Sequence, residues 1–442
     1  MRRTRTGLMM AVAVGLVSLV AVAADDLPPA PVGRKALPAG DVVPLIEQLA
    51  SRDYREREKA NKALNALGDR ALPHLKAAMA KSDSPEAQRR LEVMVTRMER
   101  ELFLAPSRVS LKAKNQPMKT TLKDLCRQAG YELKNDPMVA HRVTMEFDNL
   151  PFWEAVARVC DPPGVRLEVL NDDKGDFQAY AAGDQTSPYT CVTGPFRFTA
   201  NNISTSRNLQ LANIPKAGPA NNGEYLNLNG MVQGEPKCPL VGQGGGVIVT
   251  KAVDDTGADM APPADGQVIA YQPGSYYRAQ TQGFNINLTR GSRDAKVIKE
   301  LRGKMGLVLL SETRPGVVVD KLAEVKKGKY AGTHTDLDVS EVTVAENSVS
   351  LAATFRQRDL DPNDHNWWNG VTQRMQLLDD HGQKWVMNNI EQSGTGVGTM
   401  TAKMTFAPAD PKKAGKPVKF QIVEWVTVRT EVEFCFKNIP LP

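Results

Sequence analysis

Little in this chain is of the kind that carries chemistry. Its 442 residues include five histidines, five cysteines and only 6% aromatic residues. His74, His141, His334, His365 and His381 form neither an H-E-x-x-H nor an H-x-H pattern, which removes the usual sequence marks of a zinc hydrolase. There is no C-x-x-C pair and no G-x-S-x-G elbow. The glycine run at 242–247 lacks the Lys-Ser/Thr end of a phosphate-binding loop and lies among strand-forming segments. No cofactor and no metal site is implied. A hydrolase whose site assembles from distant Ser, His and Asp residues stays open as a third reading. Charge of one sign is also scarce. The formal net charge is +6, and without residues 1–24 the chain has 53 basic against 50 acidic residues. That balance gives no reason to expect nucleic acid and permits only weak attraction to anionic envelope polymers.

Long apolar runs are absent beyond the first two dozen residues. The run at 8–20 is about 13 residues long, short of the roughly 20 needed to cross a bilayer. It follows Arg2, Arg3 and Arg5 and ends in Ala21-Val22-Ala23. Residues 1–24 therefore read as a secretory signal peptide, cleaved near Ala23/Ala24. No cysteine follows the run, which excludes a lipoprotein box. The expectation is a periplasmic or secreted chain with no transmembrane segment after cleavage. Cysteines can pair in such a compartment. Cys126, Cys160, Cys191, Cys238 and Cys435 are odd in number, so at least one is left without a partner in the chain.

What is present is modular, and the length suits roughly three or four domains. Residues 25–40, rich in Pro, Ala and Gly, read as a linker. Over 41–104, apolar residues recur at helical spacing in four stripes: Val42, Leu45, Ile46 and Leu49; Ala60, Ala63, Leu64 and Leu67; Leu72, Leu75 and Met79; Ala87, Leu91, Met94, Val95, Met98 and Leu102. Gly68 is placed to stop the second helix, and Ser84-Pro85-Glu86 to start the fourth. The string DYREREKANKALNALGDRALPHLKAAM resembles HEAT-like helical repeats. At one and a half repeats it falls below the roughly three that a solenoid needs. It is expected to be a capping bundle or a docking stub that packs on the module after it.

Residues 105–172 read as a small α/β module, and 107–170 hold an internal repeat. VSLKAKNQPMKTTLKDLCRQAGYELK and VTMEFDNLPFWEAVARVCDPPGVRLEV align so that Asn115 matches Asn149, Pro117 matches Pro151, Cys126 matches Cys160 and Gly130 matches Gly164. Each copy reads strand, Asn-x-Pro turn, helix, glycine stop, strand. Two copies predict a βαβ-βαβ-like unit with both helices over one small sheet. The segment DPMVAHRVTMEFDNLPFWEAVARVC resembles the short N-terminal (STN-like) domain shared by secretins and TonB-dependent receptors. The resemblance implies that fold and an envelope setting. It brings no catalytic residues, and with no secretin pore region and no transmembrane barrel beside it, it does not imply transport. Cys126 and Cys160 lie on the apolar faces of the two helices. Two readings stay open: a disulfide across the repeat, stabilising by roughly 3–4 kcal/mol through chain entropy, or two small buried hydrophobes.

Residues 173–442 alternate apolar and polar positions in short segments separated by turn clusters. They predict two related β-sandwich-like modules, 173–290 and 291–442. Asp254-Asp255-Thr256-Gly257 and Asp379-Asp380-His381-Gly382 mark a matching hairpin in each. RDAKVIKELRG, just after the boundary, reads as a short helix or irregular connector. The expected class is thus multidomain: α, then α/β, then all-β.

One loop, 356–370, stands out. Asp359, Asp361, Asn363 and His365 alternate, with Asp364 beside them, as oxygen ligands around Ca²⁺ do. The EF-hand count nevertheless fails at its sixth and twelfth positions, and a solvated acidic loop is the plainer reading. Trp367 and Trp368 follow. Read as strand residues they point to opposite faces, one inward and one available as a ligand platform. The composite expectation is an exported, non-enzymatic cell-envelope protein making protein–protein or protein–polymer contacts. Its partner would be another envelope protein or a wall polymer. The alternative is a carbohydrate- or cell-wall-binding protein working through loop 356–370.

Overall fold

The computed structural model describes residues 37–442 except 52, 83, 136–139, 171–174, 183–186, 208–223, 242–245, 264–266, 268, 270–277 and 359–366. The leader, most of the linker, and Asp359, Asp361, Asn363, Asp364 and His365 lie outside the described residues. A few helices come first, and the rest is mostly strand arranged in several sheets.

The helices are α1 (Ala39–Leu49), α2 (Tyr54–Leu67), α3 (Leu72–Lys81) and α4 (Pro85–Leu104). Their ends follow from the residues that flank them. Asp53 accepts the Arg55 N–H at 2.8 Å, and Ser84 accepts the Ala87 N–H at 3.4 Å, each satisfying a donor that the first turn leaves open. The apolar stripes merge into one core around Leu64, Leu75, Leu91 and Met98. His74 is used structurally, its Nε2 lying 2.7 Å from the Leu37 carbonyl oxygen.

The next unit comprises β1 (Arg108–Pro117), α5 (Met118–Gln128), β2 (Arg142–Pro151), α6 (Phe152–Cys160), β3 (Val165–Val169) and β4 (Phe177–Ala181). The repeat is visible in the backbone. Asn115 and Asn149 both adopt left-handed φ values, 54° and 51°, which asparagine tolerates better than most residues. The single sheet expected under both helices is not what forms. β1 pairs antiparallel with β2, and β3 pairs antiparallel with β4. Both ribbons and both helices share one core. The first strands of the two copies pair with each other, so each copy's helix closes against the ribbons rather than over a common sheet.

The β half contains β5 (Thr190–Thr193), β6 (Phe196–Arg207), β7 (Glu224–Gly234), β8 (Leu240–Val241), β9 (Val247–Asp254), β10 (Arg278–Ala279), β11 (Thr281–Thr289) and β12 (Val297–Asp320). It continues with β13 (Gly328–Tyr330), β14 (Thr335–Ala345), β15 (Ser348–Gln357), α7 (Trp367–Arg374), β16 (Met375–Asp379), β17 (Lys384–Gly396), β18 (Thr399–Pro408) and β19 (Pro417–Pro440). Two cores form. In the first, the sheet β5-β6-β7-β11 shares a core with β9, the first half of β12 and the second half of β19. In the second, β14, β15 and β18 share a core with β16, the first half of β19 and the second half of β12.

β12 and β19 are each 24 residues long and run antiparallel, with Val297 opposite Pro440 and Asp320 opposite Lys419. Each strand therefore begins in one core and ends in the other, in a pseudo-two-fold exchange. The first core is completed by Val432, Phe434, Phe436 and Ile439, so a boundary near residue 290 does not separate the cores. RDAKVIKELRG is not a helix or connector. From Val297 onward it is the start of β12. Ile298 and Leu301 mimic helical spacing because a register shift opposite β9 falls between Ile298 and Glu300. That bulge turns both side chains inward although they are three residues apart.

Candidate contact surface

Trp367 and Trp368 are on a helix, not a strand. A helical stripe places both, together with Val371, in the second core, where the two tryptophans are 8% and 6% exposed. The Trp368 ring packs edge-on against Phe355 with centroids 4.9 Å apart. Neither indole is a platform for ligand. Three of the five cysteines, Cys126, Cys160 and Cys238, are buried thiols, and all five are unbridged. Burial pushes the Cys126 thiol up to about 12 and moves Cys160 and Cys238 the same way, which suppresses the thiolate needed for reactivity.

The two Asp-Asp turns share most of their hydrogen bonds, the exception being the Thr256 hydroxyl, which donates to Asp254 Oδ1 at 2.7 Å and has no counterpart at His381. Asp254 Oδ1 accepts the N–H groups of Thr256 and Ala258, both at 2.9 Å, and its Oδ2 accepts that of Ser292 at 3.1 Å. Asp379 Oδ1 accepts those of His381 and Gln383 at 3.0 and 2.7 Å, and its Oδ2 accepts that of Gly415 at 2.8 Å. Asp255 and Asp380 then accept the N–H groups of Lys296 and Lys416, the residues just before β12 and β19. Gly257 and Gly382 close the turns at φ 88° and 74°, a region costly for side-chain-bearing residues. Burial opposes ionisation of Asp254 and Asp379, but the hydrogen bonds each accepts outweigh it and hold both carboxyls below their ordinary value. Asp379, Asp380 and His381 lie close enough to suggest a cation site. Both oxygens of Asp379 and Oδ1 of Asp380 accept backbone N–H groups, those of Gly415 and Lys416 locking the start of β19.

A second buried cluster joins the modules. Glu235, fully buried after β7, accepts the Ser107 N–H at 3.0 Å and the Tyr131 hydroxyl at 2.9 Å. Lys237 Nζ lies 3.6 Å from Glu235 Oε2 and donates to the Ala105 carbonyl. The Cys238 thiol donates to the Phe103 carbonyl at 3.1 Å. Burial and the Glu235 charge raise the Tyr131 hydroxyl well above its usual range, so it remains a donor. The turn 235–238 therefore clasps the connection 103–107. Trp153, fully buried, adds a bond from its indole N–H to the Pro195 carbonyl at 3.2 Å. Phe103 and Leu104 pack against the first β core, where the sequence had suggested the α/β unit. A cleft of about 510 Å³ opens over this seam, lined by Asp69, Glu101, Ser107, Arg108, Gln128 and Lys237 among others.

The outward face of β6, β7 and β11 is different in kind. Leu226 and Leu228 of β7 point into the core, as do Ile286 and Leu288 of β11. The residues between them point out. In register across the three strands, Ser206, Tyr225 and Thr289 form one row; Ser204, Asn227 and Asn287 the next; Asn202, Asn229 and Asn285 the third. The amides bond to one another. Asn227 and Asn285 donate to each other's oxygens, Asn227 also donates to Asn287 at 2.9 Å, Asn285 to Asn229 at 2.8 Å, and Asn229 to Asn202 at 2.9 Å. Thr199, Met231 and Gly283 extend the face by a fourth row. Not one of these twelve positions is charged. The signal was present in the sequence as asparagine at alternate positions, Leu226-Asn227-Leu228-Asn229 and Phe284-Asn285-Ile286-Asn287, but amides carry no charge or nucleophile that would mark them as functional.

No known protein family matches the chain, and no curated protein matches it. One solved structure, entitled "The crystal structure of the conserved domain protein from Bacillus anthracis", aligns over 59% of this chain and 90% of its own at 9% identity. Its TM-score of 0.14 is too low to bear on fold or function.

Proposed function

We propose that the chain is an exported, non-enzymatic cell-envelope protein that makes protein–protein or protein–polymer contacts, and that its working surface is the asparagine face of β6, β7 and β11. The observation that carries this reading is the uncharged, mutually bonded amide array on an exposed sheet. Asparagine is depleted in strands, and a local choice against propensity is expected where function outweighs it. The most conspicuous buried charged groups, Glu235, Lys237, Asp254 and Asp379, are committed to holding the fold, which supports a role without turnover. The leader expected at 1–24 and the STN-like resemblance of about 107–170 support the envelope setting. In this reading the HEAT-like helices cap the assembly, the STN-like unit spaces it, and the first of two sandwich-like modules displays the face. Loop 356–370 is not preferred as the contact site, since its tryptophans are core residues.

The test is co-sedimentation of the full mature chain with washed cell envelopes. The variant N227T/N229T/N285T/N287T keeps strand propensity and removes the amides. Retention at least tenfold below that of the unaltered chain, with an unchanged thermal midpoint, is the expected result. Equal retention of the two proteins would overturn the assignment of this face.

A further inference from the structure

We infer that the asparagine face takes an uncharged polysaccharide, lying along the sheet and held by hydrogen bonds from the amide array. The inference rests on the reading that this face is the working surface, and names what it holds. Three observations on the molecule carry it.

The first is an internal control. The β half is built twice: β6, β7, β9, β11 and β12 in the first core correspond in order to β14, β15, β16, β18 and β19 in the second, and the matched Asp-Asp turns fix the alignment. The outward face of β14, β15 and β18 is therefore the counterpart of the asparagine face. Its rows in register are Thr343, Ser350 and Thr405; Glu341, Ala352 and Lys403; Asp338, Thr354 and Thr401. That is an ordinary charged surface. The same architecture thus stands without asparagines, so the fold does not require the array.

The second is preorganisation. Each amide of the array is held by a neighbour, and Asn227 and Asn285 exchange bonds in both directions. The donors and acceptors are fixed before any ligand arrives, which lowers the ordering cost of binding. Rows spaced about 4.7–4.9 Å across strands and about 6.6–6.8 Å along them offer a flat lattice of amide and hydroxyl groups, with Tyr225 at one edge. A linear chain of sugar hydroxyl or acetamido groups presents complementary donors and acceptors at every residue.

The third is chemistry that argues against the other occupants. A protein-binding patch is expected to have an apolar or aromatic centre with arginine anchors, whereas this centre is amide. A charged polymer would call for counter-charges, and the twelve positions have none.

The probes are insoluble chitin and cellulose, two neutral polysaccharides that differ in bearing acetamido or only hydroxyl groups. The full mature chain is expected to pellet with at least one of them, in a manner insensitive to salt. N227T/N229T/N285T/N287T is expected to lower retention at least tenfold, while K403T on the counterpart face leaves it unchanged. A second variant, N229D, places one charge in the array and is expected to weaken retention while folding normally. Failure of the unaltered chain to pellet with either polysaccharide overturns the inference, as does retention that the asparagine variants do not change. If those variants still lose envelope retention while neither polysaccharide binds, the surface reading survives and its ligand is a protein.

Discussion

Several buried side chains fasten one segment of this molecule to another. Glu235 shows it best: one carboxylate holds the backbone of Ser107 and the hydroxyl of Tyr131, with Lys237 beside it. Removing one partner of a buried ion pair strands the other, at a cost of about 3–5 kcal/mol. E235A is therefore expected to lose about that much stability in urea unfolding and to expose 103–107 to protease. A loss under about 1 kcal/mol would show that the clasp is not a fastening. Asp254 and Asp379 give a pH dependence. Their folded pKa values lie below the unfolded value of about 3.9, so the unfolded chain binds more protons as the solution is acidified. Their stabilisation is complete above that unfolded value and is lost as pH falls through the lower, folded one. The thermal midpoint should drop below about pH 4, and D254N/D379N should be less stable at neutral pH with a flatter acid limb. An acid limb of unaltered slope in that variant would contradict the assignment.

Elements differ in how plainly the sequence announces them. The four helices were legible because apolar residues recur at a single period and the caps are where that period starts and stops. The Asn-x-Pro repeat was legible, but its two copies are the ends of β1 and β2 rather than turns, with Asn115 and Asn149 at left-handed φ within the strands. The start of β12 was not, because a bulge converts a strand pattern into apparent helical spacing. α7 was not, because eight residues after a run of polar residues give too little period to tell helix from strand. The exchange between β12 and β19 was beyond reach, since nothing local says that Phe434 belongs with Phe198 and Phe284. That exchange makes a prediction at this scale. F434A, far beyond residue 290, is expected to cost about 3–5 kcal/mol, as deleting a buried phenylalanine does. An excised 173–290 fragment should give no cooperative unfolding transition by calorimetry. A sharp transition in that fragment would mean that β19 is not needed to close the first core.

At the scale of the whole molecule, the clasp, the Trp153 bond and the strand exchange link the helical, α/β and β parts into one frame with two counterpart sheet faces turned outward. One is charged in the ordinary way and the other is an amide lattice. The asparagines were visible in the sequence, but their meaning depended on three strands standing side by side, which alternation alone does not specify. The most direct test is photo-cross-linking in living cells, with a photoreactive residue placed at Ser204 or Thr289 beside the asparagine face, and at Ser350 or Thr401 on the counterpart. Assignment of the asparagine face as the contact surface predicts envelope adducts from the first pair and none from the second. Adducts from Ser350 and Thr401 at equal or higher yield would contradict it.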